Sequence, residues 1–136
     1  MIHYLPNNAE TENQLQAAVR IIRDPENWCK GKMQQGNAFC INGALYAAGI
    51  PNTPIPEDQF SSDQRYTRDN IKRGELQEAF WFLRQALKLC SDHGNIGKFN
   101  DDPATEHHQV IGLICLAIKL VQADELGVYY EIEDAA

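Results

Sequence analysis

KFNDDPATEHHQVIGLICLAI, Lys98–Ile118, brings an Asn, two Asp, a Pro and two His to the entry of a long apolar repeat. Val110, Ile114, Ala117, Ile118 and Val121 recur at helical spacing, with Leu113, Leu116 and Leu120 beside them. That period predicts a helix. Asp102-Pro103 supplies a start signal, because Asp can cap and Pro suits the first helical position. The helix is therefore expected from that pair to about Ala123. Stepping back three positions from Val110 sets His107 on the buried side of the first turn. His108 is rotated by ~100° and should be more exposed.

Upstream, Leu76, Ala79, Phe80, Leu83, Ala86, Leu87 and Cys90 form one apolar stripe, widened by Trp81 and Phe82. They predict a central helix over about Asn70–Cys90, capped by Asn70 and ended by His93-Gly94. Residues 51–69 carry Pro51, Pro54 and Pro56 and read as a long non-helical loop. Ala38–Ala48 is a compact apolar helix ending at Gly49, and Gly43 inside it points to close packing. A first helix over about Glu12–Arg23 follows from Leu15, Ala18, Val19 and Ile22, with Thr11 and Gln14 as a capping pair. Asp24-Pro25 should open one further turn and fold Trp28 back as a core anchor. Gly127–Ile132 is β-prone and could pair with Ile2–Leu5. The expectation is an all-α, single compact domain of about four main helices with, at most, a short terminal β pairing.

At 136 residues the chain fits one domain with a core of its own. Its net charge of −7 is uneven: residues 1–68 carry 6 basic against 7 acidic side chains, and residues 69–136 carry 6 against 12. Five of those acids (Asp124, Glu125, Glu131, Glu133, Asp134) lie in the stretch 124–136, an acidic tail without a base. No Lys/Arg cluster suggests a nucleic-acid surface, and no apolar run reaches the ~18–20 residues of a membrane span. The start lacks a basic leader followed by an apolar segment, so a cytoplasmic protein is expected.

Cys29, Cys40, Cys90 and Cys115 include no C-x-x-C pair. Reduced thiols are expected, with Cys90 and Cys115 acting as small hydrophobes on apolar helix faces.

Two patches resemble a family of small uncharacterised proteins met in bacteria and phages. One is D-P-x-x-W-C-x-G followed by C-x-x-G-A-L: Asp24-Pro25, Trp28-Cys29, Gly31, then Cys40 and Gly43-Ala44-Leu45. The other is F-N-D, a Pro, then H-x-x-V and a terminal A-I: Phe99-Asn100-Asp101, Pro103, His107, Val110 and Ala117-Ile118. Where that family usually carries a Thr just before the His, this chain has Glu106. The resemblance implies a helical fold and a site near the His, and no reaction.

Three readings compete for these polar residues. In the first they are structural, with Asn100, Asp101 and Asp102 capping the last helix and His107 hydrogen-bonded in the core. In the second, Cys40 (or Cys29) is a nucleophile, His107 its base and Asp101 or Asn100 the orienting group, as in a hydrolase or transferase. The third is a metal site, for which no local pair of ligands has the usual spacing, so no metal ligand and no cofactor are assigned. The preferred expectation is an accessory protein that binds a protein or small ligand. The surface would involve Trp28, Cys29, Asn100, Asp101, His107 and His108, rimmed by the 51–69 loop. A homodimer through Phe60 or Trp81 is compatible with the pattern.

Overall fold

A computed structural model describes residues 8–49 and 76–125. Five helices carry the described chain: α1 (Asn8–Ile22), α2 (Ile41–Gly49), α3 (Gln77–Cys90), the short α4 (Ile96–Asp101) and α5 (His107–Glu125). The expected mostly helical single domain is what forms, with four sizeable helices. Between α1 and α2 lie a 3-10 turn, Pro25–Asn27, and an antiparallel pair, β1 (Gln34–Gln35) and β2 (Ala38–Phe39).

Helix α1 lies against both α2 and α5, and α5 lies against α3. Each presents its apolar face inward: Leu15, Ala18 and Ile22 from α1; Ile41, Ala44 and Leu45 from α2; Phe80, Leu83 and Leu87 from α3; Val110, Ile114 and Val121 from α5. Tyr46 meets Phe80 edge-on at 6.5 Å across the α2–α3 contact. Fully burying one such side chain is worth roughly 1.5–3 kcal/mol, so this layer supplies the stability.

The element boundaries differ from expectation for local reasons. Helix α1 begins at Asn8, and Thr11, expected to cap it, sits within the helix and is buried. Ala38 and Phe39 are strand rather than helix. The two-residue loop Gly36-Asn37 closes a hairpin in which Gln34 faces Phe39, with Gly36 at φ +61°. Hairpin loops of this length favour positive φ, which glycine adopts without strain. Cys29 N–H donates to the Phe39 carbonyl at 3.1 Å and Cys40 N–H to the Met33 carbonyl at 3.2 Å, fixing this segment before α2 begins.

Helix α3 stops at Cys90, where Ser91 is extended and its N–H donates to Leu87 O at 2.9 Å. His93-Gly94 therefore does not cap it, and Gly94 is not among the positive-φ glycines, Gly31 and Gly36. Cys90 and Cys115 are both exposed, contrary to the expected apolar placement.

The stretch Lys98–Ile118 brings the largest correction. It contains two helices. Asn95 caps α4 by accepting Lys98 N–H at 2.7 Å. Asp102-Pro103 then opens a tight turn: the Asp102 carboxylate accepts Ala104 N–H at 2.8 Å and its carbonyl accepts Thr105 N–H at 2.9 Å. Helix α5 starts only at His107, where Gln109 Oε1 reaches back to Glu106 N–H at 2.8 Å. Asn100 and Asp101 consequently close α4 and do not cap the last helix. The expected Asn70 cap, the 51–69 loop with Phe60, the Ile2–Leu5 pairing with Gly127–Ile132, and the tail beyond Glu125 lie outside the described residues.

Candidate functional site

The loop Trp28–Gly31 and the segment Asn100–Thr105 meet at one corner of the bundle, joined by side chains about 70 residues apart in sequence. Asn100 is the centre and is fully buried. Its Oδ1 accepts the Trp28 indole N–H at 2.7 Å and the Ile41 N–H at 3.2 Å. Its Nδ2 donates to the Cys29 carbonyl at 3.0 Å and to Asp101 Oδ1 at 3.1 Å. A primary amide has two donors and two acceptor sites, and all are used here. The same Asp101 oxygen accepts Gly31 N–H at 2.7 Å, where Gly31 holds φ +83°.

Lys30 closes the corner from outside. Its ammonium donates to the carbonyls of Asp102 (2.7 Å) and Thr105 (2.8 Å) and stands 5.3 Å from the Trp28 ring centroid. His107 lies 5.8 Å from Trp28, ring to ring, and its Nε2 is 2.7 Å from the Ile22 carbonyl. A carbonyl only accepts, so Nε2 carries the hydrogen and satisfies the last carbonyl of α1. His107 is thus half-buried on the inner side of its turn, as its register predicts. His108 faces outward, 3.5 Å from Glu106, with both side chains over seventy per cent exposed.

Cys40 caps α2. Its Sγ accepts Gly43 N–H at 3.2 Å and touches Met33 Sδ at 3.6 Å, while Ile41 N–H, the neighbouring amide of that helix end, goes to Asn100. Amides at a helix start lower a thiol pKa, but here burial dominates and pushes Cys40 up to about 12. At neutral pH Cys40 is therefore held as the neutral thiol. Cys29 is also raised, by burial and then by the Asp101 charge, and its Sγ lies 3.5 Å from the Lys32 carbonyl. The expected nucleophile, base and orienting group are each engaged by a different element, Cys40 by α2, His107 by α1 and Asp101 by the Gly31 loop. Among the described residues no cluster of three or more His, Cys, Asp or Glu is placed to share a metal ion.

The corner thus gathers Trp28, Cys29, Asn100, Asp101 and His107, with Cys40 one layer beneath and His108 turned away. Sequence reasoning missed Lys30 and Thr105. For Lys30 the only available signal was its place between Trp28 and Gly31 in the first motif; its carbonyl partners come from another helix link.

Fold and corner define a small, mostly helical protein whose two motif patches are hydrogen-bond partners of one another. A family of unknown function, DUF6197, matches residues 6–120, and the chain belongs to it. No curated protein and no solved structure matches the chain. Among the described residues no helix is long and apolar enough to cross a membrane.

Proposed function

We propose that this protein acts by binding a protein or small ligand on the outer surface of the Trp28–Lys30/Asp102–His107 corner. The observation that carries this reading is Asn100, whose four hydrogen bonds lock two distant segments into one rigid surface. A side chain with every valence spent within the fold has none left for a substrate, but it holds its neighbours in fixed positions. Preorganisation of this kind reduces the ordering cost of association. Around it, Trp28 and His107 are half-buried, and Glu106 and His108 stand at the rim. The high Cys40 pKa weighs against thiolate chemistry at this place. A cytoplasmic setting and a bacterial or phage origin belong to the same proposal. The origin rests on the motif resemblance.

A thermal-shift screen of metabolites and peptides tests it, using wild type and the rim variant Glu106→Lys/His108→Glu. Exposed substitutions of this type change stability by less than ~0.5 kcal/mol, so the variant should fold normally. A ligand at 100 times its Kd stabilises by about 2.7 kcal/mol. The expected result is a compound that raises the wild-type Tm and fails to raise that of the variant. Equal shifts in both proteins would place binding elsewhere. The absence of any shifting compound would count against a binding role for the corner.

A further inference from the structure

A second constellation lies where the α3–α4 link meets the end of α4, sharing only Asp102 with the binding corner. Ser91 Oγ is hydrogen-bonded to His93 Nδ1, and His93 Nε2 is 2.8 Å from Asp102 Oδ2. The other Asp102 oxygen is held by Ala104 N–H at 2.8 Å. The imidazole stands edge-on to Phe99, 5.5 Å between centroids at 84°, and Phe99 is buried. The ring is thus fixed in orientation by an apolar wall on one side and a carboxylate at one end.

We propose that Ser91, His93 and Asp102 form a nucleophilic relay in which Ser91 accepts acyl groups from activated esters or thioesters. The protonation pattern follows from the partners. Asp102 as a carboxylate only accepts, and its pKa is lowered by the Ala104 amide and then by His93, so it is ionised at neutral pH. Nε2 therefore carries the ring hydrogen, and in the neutral ring Nδ1 is a base facing the Ser91 hydroxyl. Ser91 Oγ already accepts His93 N–H at 3.1 Å, which leaves its own hydrogen to point at Nδ1. In the familiar serine hydrolases the carboxylate holds Nδ1 and the serine faces Nε2; here the ring is used the other way round. Such relays are defined by geometry and role, whichever nitrogen serves.

The reaction balances within these groups. The Oγ lone pair attacks the acyl carbon as the hydroxyl proton moves to Nδ1, giving an imidazolium stabilised by Asp102. The tetrahedral adduct collapses, the bond to the alcohol or thiol breaks, and the leaving group takes the proton from Nδ1. Ser91 is then an ester. Water, losing a proton to Nδ1, releases the acid, and that proton returns to Oγ. The site is open to solvent: the His93 and Asp102 side chains are 27% and 35% exposed, and Asp92 and Gly94 beside them are exposed.

p-Nitrophenyl acetate tests this in the full chain. Exposed thiols also take acetyl groups, and Cys90 and Cys115 are exposed, so the background is Cys90→Ser/Cys115→Ser. The expected result is a burst of nitrophenolate, with peptide mass spectrometry placing the acetyl group on Ser91. Ser91→Ala should abolish it. His93→Gln and Asp102→Asn should slow acetylation roughly 10²-fold or more, the usual contribution of a positioned general base. Should either variant fail to fold, the native rate is compared with that of the same chain in urea. Acetylation of Ser91 no faster than in the unfolded chain, a rate indifferent to His93→Gln, or acetyl found only on lysines would overturn the proposal and leave the three residues as a clasp on α4.

Discussion

Asn100 is the residue on which the corner turns. Replacing it with Ala leaves the Ile41 amide and the Cys29 carbonyl without this partner, and the Trp28 indole seeking another. Leaving a buried polar group unsatisfied costs about 1–3 kcal/mol. Asn100→Ala should therefore lower unfolding free energy by about 2–4 kcal/mol in urea titration. Asn100→Asp keeps the shape but turns two donors into acceptors facing a carbonyl and a carboxylate, so it should be at least as damaging at neutral pH. Cys40 makes a different signature. Its folded pKa, about 12, lies above the 9.0 of an ordinary thiol. The unfolded chain therefore loses this proton first, and the stability tied to the neutral thiol is full below pH 9 and drains away between 9 and 12. Wild-type Tm should fall more steeply over that window than the Tm of Cys40→Ser, whose hydroxyl still offers Gly43 N–H an acceptor. Cys40→Ala should share the flatter alkaline limb and lose about 1 kcal/mol at neutral pH from the missing cap.

At the scale of elements, two glycines within helices should respond in opposite directions to the same change. A Cβ on Gly43 would lie 1.9 Å from the Met33 carbonyl oxygen, a backbone atom of the hairpin approach. Gly43→Ala should therefore force α2 and that segment apart and cost about 1–3 kcal/mol despite alanine's better helix propensity. A Cβ on Gly112 in α5 meets nothing within 4 Å, so Gly112→Ala should stabilise by about 0.5–1 kcal/mol. Paired Tm measurements of the two variants check the sign of each. His107 links two elements, the last carbonyl of α1 and the first turn of α5. His107→Ala should cost about 1 kcal/mol and lower Tm by about 3–5 °C. The close approach at Gly43 was legible because a glycine costs a helix about 1 kcal/mol and needs a reason. The Asp-Pro pairs were legible as starts but not as starts of what. Asp24-Pro25 opens a 3-10 turn and Asp102-Pro103 a turn closed by the Asp102 carboxylate, because one dipeptide serves a helix N-terminus and a tight turn equally well. The hairpin escaped because β2 is only Ala38-Phe39 and runs directly into an apolar helix, so two residues of strand vanish into the helical period.

For the whole molecule, apolar periodicity carried the architecture: the apolar faces of α1, α2, α3 and α5 build the core, and their order in the chain sufficed for a helical domain. The corner was legible as a set of residues but not as a set of partners. Asn100 meeting Trp28, Asp101 meeting Gly31, and Lys30 meeting the Asp102 and Thr105 carbonyls all depend on how distant helices stack, which no local spacing records. The two motif patches, both within the stretch that matches DUF6197, are explained together once they are seen as two sides of one hydrogen-bonded joint. Hydrogen exchange of the Asn100 side-chain amide and the Trp28 indole N–H, followed by NMR in the full chain, tests that joint most directly. Both should exchange with protection approaching that of the α5 backbone amides in the core. Exchange of both at the rates of free side chains, with α5 still protected, would contradict it.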